Sequence, residues 1–150
     1  AVMGHEVVHA LARHGGERMS QNTLAQTTLQ AIGIALGVSG ANPVVSQGAM
    51  AALGVGAQVG VLLPFSRKHE SEADYVGVLL AADAGYDPRE SIQLWMRMGE
   101  LSGGKSASEF MSTHPSHETR IEQLEEWMSE AMPIYQSKPP APNHELPALR

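Results

Sequence analysis

The sequence predicts a mainly α-helical chain with a single hydrophobic core. Apolar residues recur at helical spacing in most segments, and no convincing run of alternating apolar and polar residues indicates a strand. A chain of 150 residues with 43% apolar composition is large enough to bury one core. One domain is therefore expected over residues 1–136, and the proline-rich residues 137–150 are expected to form an extended or disordered tail.

The first half of the chain contains a helix followed by a long uncharged segment. Residues 2–14 are predicted to form a helix that Gly15 and Gly16 end. Residues 19–66 contain no charged side chain and no histidine, and Asn42-Pro43 divides them into two apolar halves. A membrane hairpin and a pair of closely packed buried helices both fit this pattern. The interspersed polar residues favour the buried helices, because a membrane-spanning helix needs about 20 mostly apolar residues.

Three further helices are predicted in the second half. Residues 66–84 begin polar and become apolar, and Gly85-Tyr86 ends that helix. Asp87-Pro88 supplies an N-cap and a first-turn proline for the next helix, whose buried face is expected to consist of Ile92, Trp95, Met98 and Leu101. After a loop over residues 102–108, the last helix is predicted over residues 115–132, with one apolar stripe formed by Ile121, Leu124, Met128 and Met132.

Charge and cysteine content exclude two classes of site. The net charge is −6 and no long Lys/Arg cluster occurs, which argues against nucleic-acid binding, since that requires a basic face to neutralise phosphates. The chain has no cysteine, so it has no disulfide framework. Any transition-metal site must therefore be built from histidines and carboxylates.

The segment His5-Glu6-Val7-Val8-His9 is an HExxH motif. On a helix, residues four apart lie on one face, so both imidazoles can reach a single ion from adjacent turns. Glu6 lies beside that pair, where it can take a proton from an attacking water. Zinc accepts such ligands, and three protein ligands with one open position are typical of a catalytic rather than a structural site. The motif thus predicts His5 and His9 as zinc ligands and Glu6 as the general base.

The third ligand is predicted on a second helix. The spacing of a metzincin is absent, because Ala12 and Gly15 occupy the positions of its glycine and histidine. Glu70 and Asp74 are four residues apart and share a helix face, whereas Glu72 points roughly 200° away from Glu70. We therefore expect Glu70 to bind zinc and Asp74 to accept the free ring N–H of a ligating histidine. By the same argument Glu72 is expected at the surface, as is His69, which follows Arg67 and Lys68.

These motifs together resemble family forty-eight of the metallopeptidases, which includes HtpX-like, Oma-type and BepA- and LoiP-like proteases. The resemblance rests on HExxH, on Glu70-x-Glu72-Ala73-Asp74, and on Thr113-His114-Pro115 followed by Arg120-Ile121, and it covers residues 1–132. It implies a helical zincin of the gluzincin type with one Zn²⁺ per chain, held by His5, His9 and Glu70. It also implies an endopeptidase that acts on polypeptide substrates in protein quality control at a membrane or in the cell envelope.

The resemblance also points to His114 and Arg120. His114 matches a family histidine that can approach the zinc, so it is expected to act as a latent fourth ligand or as a donor to the developing oxyanion. A simple helix cap is the alternative for this residue, since it precedes Pro115 at the start of a helix. Arg120 matches a family arginine, and its alternative is a surface ion pair with Glu118 or Glu122.

The chain departs from the family pattern at its beginning. The family's portion before the HExxH helix, including a small sheet that holds extended substrate, is expected to be absent here. The chain alone is then expected to bind zinc but to cleave poorly or not at all, and a zinc-containing binding or chaperone-like module without proteolysis is the alternative function. A bacterial periplasm or cell envelope is the expected location. The sequence is compatible with membrane-surface association and with homo-oligomerisation.

Overall fold

A computed structural model describes residues 1–101, 114–139 and 141. No strand occurs among these residues, and the predicted mainly α fold is confirmed. A π-helical turn, Gln58–Leu62, joins the third and fourth of the six α-helices in this described part of the chain. The helices are α1 (Val2–Leu11), α2 (His14–Val38), α3 (Pro43–Ala57), α4 (Leu63–Asp83), α5 (Arg89–Leu101) and α6 (His117–Gln136). The predicted loop over residues 102–108 and most of the predicted tail lie outside the described residues.

Helices α1 and α4 cross in close backbone contact at a pair of glycines. A Cβ atom on Gly4 would lie 2.5 Å from the carbonyl oxygen of Gly77, and one on Gly77 would lie 2.8 Å from the backbone nitrogen of His5. Real Cβ atoms do not approach so closely, so both positions require glycine for this crossing. The contact brings the HExxH helix against the helix that carries Glu70 and Asp74.

The hydrophobic core lies where α4, α5 and α6 meet. Its buried residues are Val78, Ala82, Leu124 and Ala131, and Ile92 and Trp95 of α5 pack against them. The predicted burial of Met98 and Leu101 is wrong, because both are exposed. α6 begins at His117, which lies beside Gly99 of α5. The end of α5 extends past this point, and no described residue of α6 covers it.

The break between the first two helices falls earlier than predicted. α1 ends at Leu11, and Arg13 adopts a left-handed conformation with φ of 58°. α2 then begins at His14 and continues through Gly15 and Gly16, which do not end a helix. The later boundaries follow the sequence signals more closely. Gly85 has a positive φ after α4, and an Asp87 carboxylate oxygen accepts a hydrogen bond from the backbone N–H of Arg89 at the start of α5.

Helices α2 and α3 form a hairpin whose apolar side chains are mostly exposed. The predicted pair of helices is therefore correct, but their predicted burial is wrong, since α3 contains no buried residue. Among the described residues, one continuous helical segment, Pro43–Asp83, is long and apolar enough to cross a membrane, and only 6% of its most apolar window is buried. Helices α2 and α3 pack mainly against each other. The hydrophobic core is formed by α4, α5 and α6, so the hairpin does not belong to it.

Candidate metal centre

His5, His9 and Glu70 present three possible ligand atoms to one point between α1 and α4. The Nε2 atoms of His5 and His9 lie 3.0 Å apart. A Glu70 carboxylate oxygen lies 3.5 Å from Nε2 of His5, and its other oxygen lies 3.4 Å from Nε2 of His9. The spacing of four residues in α1 places both imidazoles on one face, and the glycine crossing brings α4 within reach of them.

These distances fit a small tetrahedral metal ion. Zinc binds imidazole nitrogen and carboxylate oxygen at about 2.0–2.2 Å, which makes the edge of a tetrahedral shell about 3.4 Å long. The two Nε2 atoms are 3.0 Å apart, and each lies at a comparable distance from one Glu70 oxygen, 3.5 Å to Oε2 for His5 and 3.4 Å to Oε1 for His9. One ligand atom from each of the three residues can be chosen within 4.8 Å of the others. Two neutral imidazoles and one carboxylate are also a donor set that zinc accepts, with a fourth position left for water or substrate.

Asp74 orients the first of these imidazoles. Nδ1–H of His5 donates to Oδ1 of Asp74 over 2.8 Å, which leaves the lone pair on Nε2 directed at the common point. This hydrogen bond raises the pKa of His5. Burial, in contrast, lowers the pKa of His9 and favours its neutral form. Asp74 therefore lies where the spacing argument placed it, one turn beyond Glu70 on the same helix face.

Arg120 lies beneath the two carboxylates of α4. Its Nη2 donates to Glu70 over 2.6 Å, and its Nε lies 3.1 Å from Oδ2 of Asp74 in an ion pair that lacks an aligned hydrogen bond. The guanidinium also stacks over the ring of Trp95 at 4.2 Å. The alternative of a surface ion pair with Glu118 or Glu122 is wrong, because Arg120 is buried. α6 packs on α4 and carries this residue on its inward face.

His114 lies at the rim of the same site. Its Nδ1 is 2.9 Å from the Glu70 oxygen that Arg120 also contacts, and 57% of its side chain is exposed. Burial acts to raise the pKa of Glu70, but the hydrogen bond from His114 and the charges of His114, Arg120 and His5 outweigh it, so the pKa is lowered. The alternative of a helix cap is wrong for His114, because Ser116 caps α6 by accepting a hydrogen bond from the N–H of Thr119.

Glu6 is exposed to solvent. It lines a cavity of about 410 Å³ together with His5, Glu70 and His114. The apolar residues that line this cavity include Val78, Leu94, Trp95, Met98 and Leu124. The candidate base and two of the three candidate ligands, His5 and Glu70, thus line one cavity that also contains apolar side chains.

The remaining acidic and histidine residues of α4 lie outside this set. Glu72 is exposed, as expected, and its carboxylate lies 3.5 Å from Nε2 of His14. The expectation that His69 faces solvent is wrong. His69 is buried because the start of α2 folds over it and stacks the ring of His14 on its own at 4.2 Å. His14 was not among the residues predicted to form the site.

Comparisons with known proteins agree with this geometry. The family model described as Peptidase family M48 matches residues 1–128. The mitochondrial metalloendopeptidase OMA1 of Schizosaccharomyces pombe is 38% identical over 133 residues, which are 87% of this chain and 36% of that protein. OMA1 of Arabidopsis thaliana is 41% identical over 139 residues, or 89% of this chain and 25% of that protein. The resemblance predicted from the motifs is confirmed.

A more distant relative is bacterial. The beta-barrel assembly-enhancing protease of Escherichia coli is 27% identical over 124 residues, which cover 81% of this chain and 25% of that protein. No solved structure matches this chain significantly. The chain spans only about a quarter to a third of the length of these curated relatives.

Proposed function

The chain belongs to peptidase family M48, and we propose that it is the catalytic core of a zinc-dependent endopeptidase. The convergence of His5, His9 and Glu70 at the spacing of a zinc shell is the observation that carries the proposal. The names of the relatives, which are metalloendopeptidases and a protease, support it. One zinc ion per chain is proposed, because the described residues that satisfy the geometry of a metal site form a single group.

The roles of the residues follow from their positions. Bound zinc would supply a Lewis acid that activates water and polarises the scissile carbonyl. Glu6 takes the proton of the attacking water on its carboxylate and then delivers it to the leaving amine. His114, at the cavity rim, donates a hydrogen bond toward the oxygen on which negative charge develops. Asp74 and Arg120 hold His5 and Glu70 in place.

The apolar wall of the cavity suggests which part of a polypeptide it receives. Trp95, Val78 and Leu124 line the same cavity as His5 and Glu70. An apolar side chain next to the scissile bond would bury its surface there, at about 25 cal/mol for each Å² removed from water. Such residues are accessible in unfolded proteins, so the proposed substrates are unfolded polypeptides and the proposed role is protein quality control.

Casein cleavage by the full natural protein tests the proposed activity. Cleavage is expected with zinc, is expected to stop when a chelator removes the ion, and is expected to return when zinc is added back. The unfolding temperature of the chelated protein serves as the control, since a protein that had merely unfolded would mimic loss of the catalyst. Stoichiometric zinc without any cleavage would contradict the peptidase and favour a binding module.

We also propose that the α2–α3 hairpin contacts a lipid membrane. No charged side chain occurs over residues 19–66, and the 20 residues from Pro43 to Leu62 span about 30 Å as a helix, the thickness of a hydrocarbon core. Hydroxyl groups of α2 donate to carbonyls of their own helix, which lowers the cost of placing Ser20, Thr23, Thr27 and Thr28 in lipid. The base of the hairpin is basic and is suited to anionic headgroups, with Arg13, Arg18, Arg67 and Lys68.

Flotation with vesicles that contain anionic lipid tests this membrane contact. The protein is expected to float with the vesicles, and Val55→Glu in α3 is expected to weaken binding about tenfold, because a charge is costly in hydrocarbon. Met96→Glu is a matched control, since Met96 is an exposed apolar residue on α5, away from the hairpin. Equal flotation of both variants, or no flotation of the unmodified protein, would contradict the proposal.

A further inference from the structure

The second zinc ligand is held by a different device from the first. His5 donates to a carboxylate, that of Asp74, over 2.8 Å. His9 instead has the ring of His14 at its outer nitrogen, with the two Nδ1 atoms 2.9 Å apart. His14 is 4% exposed, so this contact between two rings is shielded from water.

The contact requires the left-handed residue at the start of α2. On an uninterrupted helix, residues 9 and 14 would point about 140° apart and their rings would not meet. Arg13, with φ of 58°, breaks the helix between them and returns the chain so that His14 lies over His9. An arginine in this conformation is strained, and such strain persists only where the surrounding structure holds it.

The surroundings of His14 determine which nitrogen carries its proton. Its Nε2 faces the carboxylate of Glu72 at 3.5 Å, and a carboxylate accepts but does not donate. In the neutral ring the hydrogen therefore lies on Nε2 and the lone pair on Nδ1, facing His9. Stacking against His69, whose own Nε2 lies 3.3 Å from Glu17, fixes the plane of the ring.

We propose that His14 is a positioning residue for the metal ligand His9. It accepts a hydrogen bond from Nδ1–H of His9, which leaves the lone pair of His9 on Nε2 and directed at the zinc. A histidine that binds metal through one nitrogen requires such a partner for the other, and removing the partner weakens metal binding about 10–100-fold. This inference rests on the proposed metal centre and adds to it a positioning residue for the second imidazole.

The isosteric pair His14→Leu and His14→Asn tests the proposal. Both variants lose the stack on His69, but the amide oxygen of asparagine takes the place of Nδ1 as an acceptor, whereas leucine offers none. With zinc alone as the probe and a competing chelator, the leucine variant of the full natural protein is expected to bind about 10–100-fold more weakly than the unmodified protein. The asparagine variant is expected to recover most of that loss. Equal affinities of the two variants would overturn the proposal.

Two further measurements complete the test. Arg13→Gly keeps the left-handed conformation without strain, so its zinc affinity is expected to match that of the unmodified protein. The ¹⁵N spectrum of the imidazoles in the unmodified zinc-loaded protein needs no substitution, and it should show His14 with its hydrogen on Nε2 and a bare Nδ1 facing His9. A hydrogen on Nδ1 of His14 would overturn the proposal even if a variant failed to fold. Absence of zinc binding by the unmodified protein would instead contradict the proposed function.

Discussion

Replacing Glu6 with glutamine is expected to lower the rate of peptide hydrolysis about 10²–10⁴-fold, the contribution of a positioned general base. Glutamine has the same shape but cannot take a proton at neutral pH. Zinc binding is expected to remain within about twofold, because Glu6 does not belong to the group formed by His5, His9 and Glu70. Measurement of kcat for casein cleavage together with the zinc content of each sample tests both parts.

Glu122→Gln provides the matched control for this substitution. Glu122 is an exposed glutamate on α6, and the same loss of one charge there is expected to leave hydrolysis unchanged. A Glu6→Gln variant with full activity would show that another group activates the water. A variant that lost its zinc would show that Glu6 acts as a ligand rather than as a base.

Arg120→Met is expected to destabilise the metal-free protein by about 3–5 kcal/mol, because it leaves buried charges without their partner. Arg120 contacts both Glu70 and Asp74, and all three side chains are buried. Methionine preserves much of the volume against Trp95 but provides no donor. The total stability of a domain is only about 5–15 kcal/mol, so this loss is large. Urea denaturation of the full natural protein measures it.

The pH dependence of this loss provides a second test. The pKa of Glu70 is lowered below 4.5 in the folded protein, so its ionisation stabilises the fold above that pH, and the contribution is lost as pH falls through the lowered value. Arg120→Met removes one cause of the lowering. The difference in stability between variant and unmodified protein should therefore shrink in acid.

Arg97→Met, at an exposed arginine of α5, is the matched control and is expected to lower the free energy of unfolding by at most about 0.5 kcal/mol. An equal cost for the two substitutions would contradict the role of Arg120.

Local periodicity predicted the two imidazoles and the two carboxylates that meet in the structure, whereas His114 was predicted from the resemblance to the family. The spacing of His5 and His9 needs only a helix, and the spacing of Glu70 and Asp74 needs only a second one. The burial of Arg120 also has a signal in the sequence itself. Arg120 lies four residues before Leu124 and eleven before Ala131, so it falls on the buried stripe of α6. A charged residue in such a position indicates a buried partner of opposite charge.

Other features depend on tertiary contacts that leave little trace in the sequence. An arginine in the sequence does not indicate a left-handed backbone, so the conformation of Arg13 could not be predicted. Gly15-Gly16 falsely indicated the end of a helix at the point where α2 begins. The burial of His14 and His69 follows from that break and could not be predicted without it. The hairpin was misjudged for a different reason. Apolar composition predicts that a helix is covered, but it does not distinguish coverage by protein from coverage by lipid.

Anomalous diffraction from crystals of the zinc-loaded protein tests most directly whether the two helices build one metal centre. A single zinc peak is expected, about 2.0–2.2 Å from Nε2 of His5, from Nε2 of His9 and from a carboxylate oxygen of Glu70, with a fourth position occupied by solvent. A peak held by Glu72 instead of Glu70, or a zinc ion bound away from the HExxH helix, would contradict the account.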